Sequence, residues 1–228
     1  MTALPPSRRI RWTQAYRIVP SRFPPTGLFD RVADPADLDA VFALEALTNP
    51  RLREQAGVLA LVPPSRRISG PGSTPVMAAF THLNPDGSRF SDGSWGVFYA
   101  AHQRLTAVEE TVYHRERFLA ATAEPPCELP MRCYRTAIHG QLHDLRGGWP
   151  AVHDPHSYAA GIALARRLRA SGSDGVVYDS VRHAGGECAA LFYPDRVAPC
   201  VQSTHLLYRW DGARIAQVLE VSELARAK

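Results

Sequence analysis

The sequence predicts an α+β fold, a single domain in which mixed β-sheets are flanked by helices. Three observations indicate it. Short apolar runs of strand length alternate with longer segments whose apolar residues recur at helical spacing. The 228 residues are enough for one domain with a large core. No internal repeat and no low-complexity linker divides the chain.

The N-terminal segment predicts an arm followed by a strand. Residues 1–14 are basic and contain prolines, which predicts a flexible basic arm and leaves residues 15–228 for the domain. Residues 16–19 have strand character, and Pro20 ends that run. Arg17 is a charged residue within this predicted strand, where an exposed position is the ordinary alternative to a functional one.

A helix is predicted after Asp34, because Asp is a good N-cap and Pro35 suits the first helical position. The helix is expected to end at Asn49 and the proline that follows it. Residues 51–61 are a further candidate helix, and residues 63–75 are expected to form a loop.

The central stretch, residues 88–119, predicts a loop, a strand and a helix. Residues 96–100 form a short apolar run, and apolar residues then recur at helical spacing up to Leu119. The expected packed face of the helix consists of Leu105, Val108, Val112 and Leu119. The residues expected to point elsewhere are Thr106, Glu110, His114 and Arg117.

This arrangement would bring Arg89, Tyr99 and Glu110 together. Arg offers a planar fork to phosphate, Tyr a stacking face, and Glu a carboxylate for a developing positive charge. The residue types therefore suit an anionic ligand that carries rings. The alternative is that all three are ordinary surface or half-buried residues.

The C-terminal half predicts a strand, a helix and two strand pairs. The strand covers residues 131–138, and Ser157 is the expected cap of a helix that ends near residue 170. The two pairs are residues 176–179 with 188–193, joined by a turn at 184–186, and residues 205–210 with 213–218, joined by Asp211 and Gly212.

Composition excludes several classes of function. The 26 basic and 22 acidic residues give a net charge of +4, which suits an anionic small molecule but is too low to predict direct nucleic-acid binding. No apolar run is long enough to cross a bilayer, so no membrane role is expected. The four cysteines form no C-x-x-C pair and no signal-peptide core precedes them, which predicts reduced thiols in a cytoplasmic protein.

Two apparent ligand-binding patterns are weak. Four histidines, His139, His143, His153 and His156, lack metal-ligand spacing and are expected in a connecting segment, so no metal site is predicted. The stretch G-P-G-S-T at residues 70–74 lacks the signatures of dinucleotide-binding and P-loop motifs, so no phosphate cradle is predicted there.

One set of spacings resembles a known family. Arg89, Tyr99 and Glu110, followed much later by Ser180 within G-V-V-Y-D-S-V-R, resemble the RES-domain family, which is named for its Arg, Glu and Ser. The resemblance extends from about residue 16 to residue 193. It implies a fold similar to ADP-ribosyltransferases and membership of a group that is typically made up of NAD-consuming toxins. Their usual partner is an antitoxin with a DNA-binding part and a segment that blocks the active site.

Roles follow from the resemblance residue by residue. It implies that Arg89 and Arg17 hold phosphate or ribose, that Tyr99 stacks near nicotinamide, and that Ser180 orients the substrate. His114 and Arg182 are expected to contact NAD as well. Helical spacing alone leaves Glu109 and Glu110 open as the catalytic carboxylate, and the resemblance selects Glu110.

The sequence departs from the family pattern in two places. The usual G-G-R-W-N is G-S-R-F-S at residues 87–91, which keeps the arginine but changes its neighbours. About seventy residues separate Arg17 from Arg89, and this long segment would alter the rim of the pocket or the antitoxin surface.

The expected function is therefore an NAD-degrading toxin of a type II toxin–antitoxin system, either an NAD glycohydrolase or an NAD phosphorylase. NAD is its expected substrate, no cofactor is expected, and the partner would be a DNA-binding antitoxin. The alternatives are a protein mono-ADP-ribosyltransferase and an NAD-binding module without turnover. A homo-oligomer is compatible with the sequence.

Overall fold

Seven strands form one sheet in the computed structural model of this protein, which describes residues 4–21, 27–48 and 57–222. The strands are β1 (Ser7–Pro20), β2 (Phe98–Ala101), β3 (Cys127–Asp144), β4 (Gly175–Asp179), β5 (Glu187–Leu191), β6 (Val201–Trp210) and β7 (Ile215–Val221). The helices of the described part are α1 (Leu38–Thr48), α2 (Thr74–Thr81), α3 (Arg104–Ala121) and α4 (Ala159–Ala170). This mixed architecture confirms the predicted fold class.

The sheet closes on itself through its longest strand. The strand order is β1-β2-β5-β4-β3-β6-β7, and β1 also pairs with β3, so five strands make a closed circuit of neighbours. The pairing of β3 with β4 is parallel, and the other six are antiparallel. Closure leaves β6 and β7 as an extension from β3.

Two hydrophobic clusters cover the two faces of this sheet. Alternate residues of one strand face opposite sides, so Phe98 of β2 belongs to the first cluster and Tyr99 packs against the second. The first cluster takes side chains from α1 and α2, including Leu38 and Met77. The second takes side chains from α3 and α4, including Ala107 and Leu164, and therefore underlies the predicted site.

The buried face of α3 differs from the predicted one. Leu105 is 55% exposed, whereas Thr106 is fully buried together with Ala107 and Leu119. The prediction for Leu105 and Thr106 was wrong because a polar contact outweighs apolar patterning here: the Thr106 hydroxyl lies 2.8 Å from Nδ1 of His183. Val108 and Val112 do pack against the second cluster.

The N-terminal strand is longer than predicted. Residues 7–14, expected within the basic arm, form the first half of β1 and pair with β3. Ile10 and Trp12 are buried while the arginines between and before them are exposed, an alternation typical of a strand with one covered face. Residues 1–3 of the expected arm lie outside the described part.

Three other boundaries differ from expectation. Helix α2 begins at Thr74 with Pro75 in its first turn, although residues 63–75 were predicted to be a loop. Strand β3 extends to Asp144, so His139 and His143 lie in a strand rather than in a connection. The last hairpin turns over four residues, and Asp211 is the first of them: its backbone N–H donates to the carbonyl oxygen of Arg214 at 3.0 Å.

The other expectations have mixed outcomes. Asp34 acts as an N-cap as predicted, accepting the backbone N–H of Ala36 at 2.9 Å, but it caps a 3-10 turn, Pro35–Asp37, that leads directly into α1. Of the candidate helix at residues 51–61, residues 51–56 lie outside the described part, and Leu59–Leu61 form one 3-10 turn. The four cysteines are free thiols. Within the described ranges, the helices are too short or too polar to span a bilayer.

Candidate functional site

A cleft of about 430 Å³ lies beside α3 and the second cluster. This volume falls in the range of about 300–1,000 Å³ that is typical of small-molecule sites. Five residues that the sequence analysis selected line it: Arg17, Arg89, Tyr99, Glu110 and His114. Ser180 and Arg182 do not line the cleft, and their contacts are made at its edge.

Glu110 and Ser180 are joined by a short hydrogen bond. The Ser180 hydroxyl donates to Oε1 of Glu110 at 2.6 Å and accepts the backbone N–H groups of Arg182 and His183 at 3.2 and 3.0 Å. The two residues come from α3 and from the end of β4, 70 positions apart in sequence. Because the hydroxyl proton is committed to the carboxylate, Ser180 holds Glu110 in one orientation.

A second contact holds the same turn against α3. Nδ1 of His183 lies 2.8 Å from the Thr106 hydroxyl, and a Cβ at Gly186 would come within 2.6 Å of that hydroxyl. Thr106 and Glu110 are four residues apart, so they share one face of the helix. This contact was not predicted from the sequence, although the i, i+4 spacing of Thr106 and Glu110 and the glycine at position 186 were visible signals.

Arg89 is nearly buried, with 7% of its surface exposed, and it is already engaged by the protein. One terminal nitrogen donates to the carbonyl oxygens of Val152 and Asp154 at 2.6 and 2.9 Å, and the guanidinium lies 4.7 Å from the centre of the Tyr158 ring. These contacts attach the loop before α4 to the wall of the cleft.

Tyr99 presents its ring to the cleft and uses its hydroxyl internally. The oxygen lies 2.8 Å from the Ser88 hydroxyl and accepts the backbone N–H of Phe90 at 3.0 Å. Burial raises the pKa of Tyr99 to about 12, so the phenol is neutral at physiological pH. Ser88, which departs from the family pattern, is therefore used to hold this tyrosine.

Arg17 lines the cleft, but its guanidinium packs against another side chain. Its guanidinium lies 4.7 Å from the centre of the Phe98 ring and donates to the Tyr99 carbonyl oxygen at 3.0 Å. Phe98 belongs to the first cluster, so this guanidinium packs toward the face opposite the Tyr99 side chain. Burial lowers the pKa of Arg17, and its Nε makes no hydrogen bond to any described residue.

Arg182 and His114 differ in position. The Arg182 guanidinium lies 3.3 Å from the centre of the Tyr113 ring and donates to the Pro155 carbonyl oxygen at 2.6 Å, so it ties the Ser180 turn to α3 and to the loop before α4. His114 lines the cleft. Burial, followed by the charges of Arg182 and of nearby arginines on α3, lowers the pKa of His114 to about 4.

Two of the four histidines considered as metal ligands, His143 and His153, make ordinary hydrogen bonds. Nδ1 of His143 lies 2.6 Å from the Pro5 carbonyl oxygen, and Nε2 of His153 accepts the backbone N–H of Asp179 at 3.2 Å. Across the described ranges, no group of three or more His, Cys, Asp or Glu side chains is placed to hold a metal ion.

Comparison with known proteins adds the family. The RES domain profile matches residues 64–211. An uncharacterized protein, y4oC of Sinorhizobium fredii (strain NBRC 101917 / NGR234), is 32% identical over 208 residues, covering 88% of this chain and 84% of the relative. A chain of the M. tuberculosis MbcT–MbcA toxin–antitoxin complex aligns over 96% of this chain and 86% of that one, with a TM-score of 0.42 and 12% identity. This similarity is too low to transfer a function. The profile match and the sequence relative establish that the chain belongs to the RES-domain family.

Proposed function

We propose that this protein is an NAD-degrading toxin of a type II toxin–antitoxin pair. It would cleave the bond between nicotinamide and ribose, with water or inorganic phosphate as the acceptor, and so act as an NAD glycohydrolase or NAD phosphorylase. The observation that carries the proposal is the 2.6 Å hydrogen bond from Ser180 to Glu110, because it orients a carboxylate that lines a cleft of ligand size.

The chemistry asks for a positioned carboxylate more than for a strong acid. Nicotinamide leaves NAD as a neutral molecule, so its departure needs no protonation. The barrier lies in forming an oxocarbenium-like ribose, which a fixed negative charge stabilises. Since Ser180 occupies Oε1 of Glu110, the other carboxylate oxygen is left for the ribose. Tyr99 supplies a ring to the same cleft, where nicotinamide would stack.

The proposal extends to the partner and the compartment. The RES-family resemblance favours a DNA-binding antitoxin with a segment that covers this cleft, and the reduced thiols favour the cytoplasm. NAD is the substrate in this scheme, and no cofactor takes part.

The test is to incubate the purified protein with NAD, with and without inorganic phosphate, and to separate the products by chromatography. We expect free nicotinamide, together with ADP-ribose if water is the acceptor or phosphorylated ADP-ribose if phosphate is. Intact NAD in both incubations would contradict the proposal. Labelled protein from lysate with tagged NAD would then favour the mono-ADP-ribosyltransferase alternative, and NAD binding without consumption would favour the binding module.

Two adjacent glutamates give a matched pair of variants. Glu110 lines the cleft and Glu109 does not, yet they are neighbours on α3. Glu110→Gln should lower NAD cleavage about 10²–10³-fold, as expected when a transition-state charge is lost, while the thermal melt is preserved. Glu109→Gln should retain activity. A folded and fully active Glu110→Gln protein would refute the assignment.

A further inference from the structure

Helix α3 presents a continuous stripe of side chains to the cleft. The lining residues of this helix are Ala107, Glu110, Thr111, His114 and Arg115. Their spacing of three and four positions places them on one helical face. Arg115 ends the stripe, about 7.5 Å along the helix axis from Glu110 at 1.5 Å per residue.

Arg115 stands apart from the ion-paired arginines of this protein. Its guanidinium makes no hydrogen bond and no ion pair to any residue that the structure describes, and its one ring contact is Phe118, at 5.7 Å. By contrast, Arg146 contacts both Asp144 and Glu187, and Arg66 contacts both Asp174 and Asp195.

The environment of Arg115 disfavours an uncompensated charge. The residue is half-buried, and burial lowers its pKa. Taking a guanidinium partly out of water without a counter-ion costs free energy, which a bound oxyanion would offset through charge-assisted hydrogen bonds. A planar guanidinium beside a cleft can donate two parallel hydrogen bonds, which match the geometry of phosphate oxygens in particular.

The other arginines near the cleft have their guanidinium groups engaged. Arg89 donates to two loop carbonyls, Arg17 lies on the Phe98 ring, and Arg182 lies on the Tyr113 ring. Of the arginines that line the cleft, Arg115 is therefore the one whose guanidinium is most available to a ligand.

We propose that Arg115 is a phosphate-binding residue of this cleft. The phosphate belongs either to the pyrophosphate of a dinucleotide or to a free phosphate ion that acts as acceptor; this assignment of the ligand rests on the proposed function. About 7.5 Å along the helix axis separates Glu110 from Arg115, a span that a nucleotide with its ribose at Glu110 and a phosphate at Arg115 can bridge. Arg115 is not among the residues that the family resemblance implies. In this proposal Arg115, rather than Arg89, makes the main phosphate contact.

The experiment compares three variants by titration calorimetry. Arg115→Gln removes the charge, Arg115→Lys keeps the charge but loses the fork, and Arg117→Gln is the control. Arg117 lies on the same helix, is exposed, and does not line the cleft. The probes are inorganic phosphate, inorganic pyrophosphate, ADP-ribose and nicotinamide riboside, which carries no phosphate.

The expected result is a loss confined to phosphate-bearing probes. Arg115→Gln should weaken pyrophosphate and ADP-ribose binding about tenfold or more, Arg115→Lys should weaken it less, and nicotinamide riboside binding should not change. Loss of ADP-ribose binding identifies the dinucleotide as the source. Loss of inorganic phosphate binding alone identifies the acceptor.

Three results would overturn the proposal: unchanged binding of every phosphate-bearing probe by Arg115→Gln, an equal loss in Arg117→Gln, or failure of the unmodified protein to bind any of these probes. The test does not depend on turnover. If pyrophosphate binding depends on Arg115 but NAD is not cleaved, the proposed function is refuted and the phosphate site is retained. If NAD is cleaved and the Arg115→Gln change has no effect on cleavage or binding, the proposed function is retained and the phosphate site is refuted.

Discussion

The hydroxyl of Thr106 and Nδ1 of His183 lie 2.8 Å apart, one helical turn before Glu110 on α3. The backbone N–H of His183 also donates to the Ser180 hydroxyl, which in turn donates to Glu110. The turn after β4 is therefore attached to α3 by these two hydrogen bonds and by the Arg182 guanidinium, which lies on the Tyr113 ring. The placement of Ser180 against the carboxylate depends on this attachment.

Thr106→Val tests this attachment. The substitution keeps the shape of the fully buried side chain but removes the hydroxyl, so His183 loses its partner and the turn loses one of its attachments to α3. We expect kcat for NAD to fall about tenfold while KM stays nearly constant, because a small displacement of catalytic groups costs rate. Hydrogen exchange at the amides of Arg182 and His183 should also accelerate.

Two further variants make this test specific. Thr106→Ser restores the hydroxyl and should restore kcat and the slow exchange. Thr122→Val is the matched control, because the Thr122 hydroxyl bonds only to backbone carbonyls at the end of the same helix. Normal kcat and normal amide exchange in Thr106→Val would show that the second attachment has no role in positioning Ser180.

Ser180→Ala should affect both activity and stability. It removes the donor to Glu110 and the acceptor of two backbone N–H groups, so the carboxylate can rotate and the turn loosens. We expect the free energy of unfolding to fall by about 1–2 kcal/mol and NAD cleavage to fall by about an order of magnitude or more.

Urea unfolding and NAD assays on the same preparation measure the two effects. Ser171→Ala is the control, since that hydroxyl bonds only to the Leu168 carbonyl oxygen at the end of α4. Unchanged activity in a stable Ser180→Ala protein would contradict the role of Ser180 in orienting Glu110.

His114 should make stability depend on pH between its folded and unfolded pKa values. The folded pKa is about 4 and the ordinary value is 6.5, so in this window the unfolded chain binds a proton that the folded chain does not. Unfolding free energy should therefore rise as pH increases from 4 to 6.5 and then level off. The slope should be shallow, because His114 is partly exposed to solvent.

Urea unfolding at several pH values, for the unmodified protein and for His114→Gln, checks this expectation. The variant should show a flatter profile over the same window. Since His114 is neutral above its lowered pKa, it should add no inflection near pH 6.5 to the pH–rate profile. An inflection there that disappears in His114→Gln would contradict the lowered pKa.

Local patterns predicted much of this architecture from sequence. Asp34 caps the 3-10 turn that leads into α1. Strand β2 and helix α3 lie close to the positions that apolar spacing predicts, and they place Tyr99 and Glu110 in one cleft. These features depend on residues near one another in the chain, where periodicity and capping rules apply. The family assignment likewise followed from the spacing of a few residues.

Features that depend on distant pairing were missed. The pairing of β1 with β2, which sets Tyr16 opposite Ala101, places the Arg17 guanidinium on the Phe98 ring, and no short-range pattern contains that register. Thr106 is buried because His183 arrives from a turn 77 residues away. The Arg89 contacts end on backbone carbonyls, whose positions side-chain patterns do not encode.

Gly161 allows α4 to approach the loop that carries Arg89. A Cβ at this position would lie 2.3 Å from the Arg89 carbonyl oxygen, too close for any unshifted arrangement. A helical Gly→Ala change normally stabilises by about 1 kcal/mol. Here we expect the opposite sign, a loss of about 1–3 kcal/mol, because the helix and the loop must separate.

Gly161→Ala should also displace Arg89 from its carbonyl partners and lower NAD cleavage. Thermal and urea unfolding measure the stability change, and NAD assays measure the effect on the site. Gly148→Ala is the control, since a Cβ there meets no atom within 4 Å. If Gly161→Ala instead stabilised the protein, as helix propensity alone would predict, the loop that carries Arg89 would have to move without cost. The close packing of α4 against that loop would then not be what positions Arg89.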